Sequence, residues 1–203
     1  MARLDNNIIR TTATIIIDTT KSNDLTHKFV EEYTIKDESH FTKLEKKFIA
    51  IGLNPARSSS TTLDKSNMKI LNLISCELKD FSSCCGYYLY NLSSLVDKDS
   101  DKITISDVTD ENIDRIVNAI NSNLEVPILL FYGRSTGADI VRNKKTLQKL
   151  IEDNKQRVYI SVSTKEHKNP DESNKFIHIS LASAVRLING NQDEIDTGLL
   201  PPK

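Results

Sequence analysis

With 203 residues the chain is large enough for one domain with a substantial core, and its 27 lysines and arginines against 28 aspartates and glutamates leave a formal net charge of -1. That balance disfavours a protein that coats nucleic acid, and no apolar run approaches the roughly 18 residues that span a membrane. Cys76, Cys84 and Cys85 and four scattered histidines form neither a disulfide framework nor a zinc pattern, and residues 1–10 lack a signal-peptide core, so the expectation is a cytoplasmic protein with free thiols and no metal or cofactor.

Residues 12–17 and 28–35 are rich in β-branched side chains and read as two strands, the second with Phe29, Glu31, Tyr33 and Ile35 on one face. They are expected to pair as an antiparallel edge of the main sheet. Residues 48–51 form a short apolar run ending at Gly52, which reads as a buried strand. Residues 52–62 are a polar loop, and from Leu63 the positions of Met68, Ile70, Leu71, Leu73 and Ile74 predict a helix to about Leu78.

A strand over 87–92 follows, then a long polar segment, and Thr109 or Asp110 caps a helix to about Asn121. Residues 126–132 are the most apolar run and predict a central strand, ended by Gly133. The turn 133–137 precedes a helix to about Asp153; residues 158–162 and 176–179 read as extended; Ser180 caps a last helix through Ile188, with Gly190 just beyond. The alternation predicts a single α/β domain, a three-layer sandwich with a largely parallel central sheet: a strand pair in 1–36, the main body in 47–188 and a loosely ordered tail in 189–203.

The loop after the 48–51 run carries the most specific chemistry. In open α/β sheets ligands bind outside the carboxyl ends of the strands, where this loop would sit. Asn54 offers two donors and one acceptor, suited to a nucleobase edge or to a water that must be aimed, and Pro55 restricts its backbone. Arg57 supplies a fork that fits phosphate, with Ser58 and Ser59 beside it. The turn of Gly133, Arg134, Ser135 and Thr136 can hold an anion on backbone N–H groups, although it lacks Walker spacing; an ordinary strand-to-helix turn is the competing reading.

Gly52-Leu53-Asn54-Pro55 resembles the opening mark, L-N-P-S, of an uncharacterised bacterial and phage family. The family's later marks follow in order: D-x-T as Asp64-Lys65-Ser66, G-Y then N-L as Gly86-Tyr87 and Asn91-Leu92, W-G as Tyr132-Gly133, and H-P as Asn169-Pro170. The resemblance covers residues 48–170. The strand end also resembles, more distantly, the G-I-N-P motif of the mismatch-specific branch of uracil-DNA glycosylases, which implies a glycosylase-like fold and an Asn54 that orients the hydrolytic water.

Three functions stay open. The first is binding of a small nucleotide or nucleobase, with Arg57, the hydroxyl run that includes Ser58 and Ser59, and the Gly133 turn on phosphate, and Asn54 with an aromatic such as Tyr87 or Tyr132 on the base; Pro55, Ser66, Asn91 and Asn169 complete the candidate ligand-binding set. In a phage or mobile element such a binder could sequester a nucleotide signal of host defence. The second is N-glycosidic hydrolysis, acting also on single-stranded or flipped-base DNA, with Asn54 aiming a water, Asp64 as base or cation stabiliser, and Tyr87, Tyr88 or Tyr132 as the stacking platform for the base. Asn169 stands where the resemblance implies a histidine, which weighs against hydrolysis unless His167 fills that role. The third is an inert structural or partner-binding protein.

Overall fold

The computed structural model describes residues 2–3, 14–18, 27, 29–36, 45–55, 65–75, 79–96, 102–133, 136–162 and 184–188. Its strands are β1 (Ala2–Arg3), β2 (Thr14–Asp18), β3 (Val30–Lys36), β4 (Lys47–Gly52), β5 (Gly86–Asn91), β6 (Ile128–Leu130), β7 (Val158–Val162) and β8 (Ala184–Leu187). The helices are α1 (Lys65–Asn72), α2 (Lys79–Ser82), α3 (Asp110–Ser122), α4 (Thr136–Asn143) and α5 (Lys145–Asp153).

The strands form one eight-stranded sheet in the order β1-β8-β7-β6-β4-β5-β3-β2. Strands β5, β4, β6 and β7 run parallel. On the outside, β3 pairs antiparallel with β5 and with β2, and β8 pairs antiparallel with β7 and with β1. The expected N-terminal antiparallel pair is present, but the sheet is mixed rather than largely parallel.

The sharpest departure from the expected fold is at residues 180–188, read from the sequence as a helix. Ala184–Leu187 is a strand instead. Ser180 and Gly190 looked like helix ends, yet Val185 is buried, Arg186 half-buried and Leu187 exposed, and no helical stripe can form in so short a segment. Pairing with β7 covers backbone groups that would otherwise form an open edge, and Ile188 N–H continues the contact to Val158 O at 3.0 Å. The helix expected over 137–153 is two helices, broken at Lys144, whose Nζ lies 2.6 Å from the Asp110 carboxylate at the start of α3.

Alternation along the central strands sends side chains into two cores. Ile49 and Ile51 of β4 join Ile128, Leu130, Val158 and Ile160, packed with Ile113, Ile116 and Ile120 of α3 and Leu147 and Ile151 of α5. Phe48 and Ala50 join Tyr33, Tyr87, Leu89, Leu129 and Tyr159, packed with Ile70 and Leu71 of α1 and Phe81 of α2. A strand buried on both faces must read as an unbroken apolar run, which is why residues 48–51 were legible.

Polar groups inside these cores are held by specific partners. In the second core the rings of Tyr33 and Tyr87 stack at 4.6 Å, and Asn67 of α1 serves both. Its Nδ2 donates to Tyr33 Oη and its Oδ1 accepts from Tyr87 Oη, each at 2.9 Å. At the amino end of β7, buried Arg157 donates to the carbonyls of Ile120 (3.0 Å), Val126 (2.8 Å) and Asn123. Desolvation lowers the pKa of this guanidinium, but the carbonyls around it compensate the charge.

Candidate functional site

Because β5, β4 and β6 are adjacent and parallel, their carboxyl ends leave the sheet on one side. β4 delivers Leu53, Asn54 and Pro55 there, β5 delivers Asn91 to Ser94, and β6 delivers Phe131, Tyr132 and Gly133. Asn54, half-buried, sits two residues beyond the last residue of β4, as the apolar run and the following proline predict.

The β4 and β5 ends stay knitted together past the last ladder pair. Gly52 faces Asn91 in register, Leu92 N–H donates to Gly52 O at 2.9 Å, and Ser93 N–H donates to Leu53 O at 2.8 Å. The segment carrying Asn91 is thereby fixed against the Asn54 loop. The Asn91 side chain lies across Gly52: a Cβ built at residue 52 would stand 2.6 Å from Asn91 Oδ1 and 2.8 Å from Phe131 Cζ. The glycine of the G-L-N-P stretch thus has a packing reason of its own, the close approach of two neighbouring side chains.

Tyr87 and Tyr132 are placed as core residues. Tyr87 is fully buried between Tyr33 and Phe48 and donates to Asn67, so neither ring face is open to a base. Tyr132 packs in the first core, and its hydroxyl has its pKa raised by burial. Gly137 makes room for it, since a Cβ there would meet Tyr132 Cδ2 at 2.7 Å. Gly133 has φ 81°, the left-handed region that favours glycine. Both glycines of the turn therefore have a structural reason beside any anion they could hold.

Ser66 is half-buried in the first turn of α1, and Thr136 is the first residue of α4. Arg57, Ser58, Ser59, Asp64, Arg134, Ser135 and Asn169 lie outside the described residues. Among the described residues no group of three or more His, Cys, Asp or Glu side chains could hold a metal.

Two polar contacts at this edge were not foreseen. His27 Nδ1 lies 2.9 Å from the buried hydroxyl of Ser94, and the His27 backbone forms an isolated antiparallel bridge with Leu95. Asn112, in the first turn of α3 and 1% exposed, donates from Nδ2 to Asn91 O at 2.6 Å and to Leu92 O at 2.8 Å. The signal for Asn112 was present: it shares the i, i+4, i+8 stripe with Ile116 and Ile120, and an asparagine in an apolar stripe needs a buried partner. The His27 contact spans 67 residues and has no local signal.

A mixed α/β chain with amide side chains gathered at the carboxyl edge of parallel strands is the class this geometry defines. Residues 33–171 match the family model described as protein of unknown function (DUF1643), and the chain belongs to that family. The match starts within β3, earlier than the resemblance over 48–170. No curated protein and no solved structure matches the chain.

Proposed function

We propose that the protein binds a nucleobase or nucleotide at the carboxyl edge of β4, β5 and β6. The observation that carries the reading is the convergence of Asn54, Asn91 and the Gly133 turn at one edge of the parallel strands, with the β4 and β5 ends fixed to each other by the Leu92–Gly52 and Ser93–Leu53 hydrogen bonds. Amides carry both donors and acceptors, as base edges do, and a fixed edge limits the ordering that binding requires. Arg57 and the serines beside it follow in the chain and would supply phosphate contacts.

Helices pack into cores on both faces of the sheet, which supports a three-layer, glycosylase-like architecture. With Tyr87 and Tyr132 in the cores, the stacking platform that either reading needs must come from another side chain. Binding ranks ahead of hydrolysis because Asn169 stands where a glycosylase would offer a histidine and because the near-neutral charge suits a small ligand better than a duplex. In a phage or mobile element the site would serve to sequester a nucleotide signal. A thermal-shift screen with nucleobases, mononucleotides and cyclic dinucleotides tests the reading, followed by product analysis of every hit. A ligand of the folded state raises the midpoint. A rise without turnover is the expected result; released free base would move the assignment to hydrolysis, and no shift with any compound would leave a structural role.

A further inference from the structure

The side-chain amide of Asn91 is open in a seam whose backbone is satisfied. Asn112 Nδ2 donates to Asn91 O and Leu92 O, Leu92 N–H donates to Gly52 O, and Ser93 N–H donates to Leu53 O. The Asn91 amide itself makes no hydrogen bond among the described residues. It is not sealed either. Asn91 is 4% exposed, and the sealed side-chain atoms without a partner are Asn112 Oδ1 and Tyr132 Oη, so both amide atoms of Asn91 share in what remains accessible. Contact rather than hydrogen bonding fixes the side chain: Oδ1 lies 2.6 Å from where a Cβ on Gly52 would stand, and the Phe131 ring meets the same point.

An amide so largely buried and bonded to nothing has given up water without replacement, which costs free energy in the unliganded protein. A ligand that pairs with it recovers that cost. The chemistry of the amide defines the partner. Its donor and acceptor stand side by side, so both are served only by a group that presents an acceptor beside a donor. Nucleobase edges do so; phosphate and carboxylate offer acceptors alone and would leave Oδ1 unserved.

We propose that Asn91 is the specificity-determining residue of this site, reading the edge of a bound heterocycle through one donated and one accepted hydrogen bond, with any phosphate held elsewhere. The inference rests on the nucleobase-binding reading and deepens it. A site built on such a pair rejects an analogue whose N–H is blocked, because the acceptor that it served is then left unpaired.

The test is calorimetric titration of the full chain with uridine, guanosine, adenosine and cytidine. Each is set against a methylated counterpart that lacks the N–H beside its acceptor: 3-methyluridine, 1-methylguanosine, N6,N6-dimethyladenosine and N4,N4-dimethylcytidine. The expected result is that at least one nucleoside binds, and that its counterpart binds about tenfold or more weakly. Asn91→Leu keeps the size of the side chain and removes both polar atoms. In that variant the ratio should fall towards one, while the unliganded protein melts at the same temperature or higher, since no hydrogen bond has been lost. A midpoint lowered by several degrees would mean that the amide supports the fold, and would overturn the proposal. Equal binding of nucleoside and counterpart by the wild type, or a discrimination that survives in Asn91→Leu, would also overturn it while leaving nucleobase binding intact. Should Asn91→Leu not fold, Asn91→Ala, which adds no volume, takes its place; failure of both to fold is the structural outcome and overturns the proposal. If nothing in this series or in the wider thermal-shift screen binds the wild type, the nucleobase-binding reading itself falls, a result distinct from lost discrimination.

Discussion

Asn91 Oδ1 stands where a side chain on Gly52 would begin, 2.6 Å from an ideal Cβ. The two residues face each other across the β4–β5 ladder, so neither can move far without breaking register. Gly52→Ala should therefore push the Asn91 amide and the Phe131 ring off their positions, at an overpacking cost of about 1–3 kcal/mol. Urea unfolding measures that cost. Gly86→Ala offers the contrast: there the Cβ would fall 2.0 Å from the backbone oxygen of Tyr33, which cannot rotate away. It should cost more than Gly52→Ala, and the reverse order would contradict the packing described.

Asn67 supports two buried tyrosines at once. Asn67→Ala withdraws one partner from each hydroxyl, at about 1–3 kcal/mol per group. In a Tyr33→Phe, Tyr87→Phe background the same substitution should cost clearly less, because the hydroxyls that needed the amide are gone. A double-mutant cycle with no coupling would show that the amide is not what holds the stack.

Burial pushes the Cys84 thiol from 9.0 up to about 11, with its neighbours Cys85 and Asp80 adding to the shift. A pKa raised on folding means that the native state holds the proton more tightly than the unfolded chain. The contribution is complete below about pH 9 and is lost as pH rises through about 11. Melting curves from pH 8 to 11 should show wild type losing more stability than Cys84→Ala across that window. Parallel curves for the two proteins would refute the burial argument. Thiol reagents at pH 7–8 should modify Cys84 only on unfolding.

At the proposed site, Asn54→Ala should weaken free base and nucleotide alike, by up to about tenfold for one neutral hydrogen bond. Arg57→Ala should weaken phosphorylated ligands by about ten- to a hundredfold and leave free bases nearly unchanged. A variant at Asn54 that keeps its affinity but loses turnover would assign that residue to aiming water.

The central strands were legible because each is buried on both faces. The apolar runs at 48–51, 126–132 and 158–162 all contain strands, and Asn54 falls where the first run predicts. The cap of α3 was equally plain, with Thr109 accepting from Asn112. What failed depended on partners far along the chain. Four residues at 184–187 carry too little pattern to separate strand from helix, and only pairing with β7 decides. The tyrosines failed for a related reason: aromatic residues on strands look alike whether they face a ligand or a core, and the Asn67 amide that claims Tyr87 is 20 residues away. Glu31 shares a face with buried Tyr33 and Ile35 and is itself buried, a placement its charge does not announce.

Arg157 gathers the carbonyls of Ile120, Asn123 and Val126, which close α3 and lead into β6. Helix ends ordinarily fray because their last carbonyls turn to water. Here those carbonyls are held by a side chain from the start of another strand, 37 residues from Ile120. The end of α3 can open only when β7 loosens, so its amides should exchange with solvent at the slow rate of the central sheet, and the helix should complete its last turn late in folding, after β7 has docked.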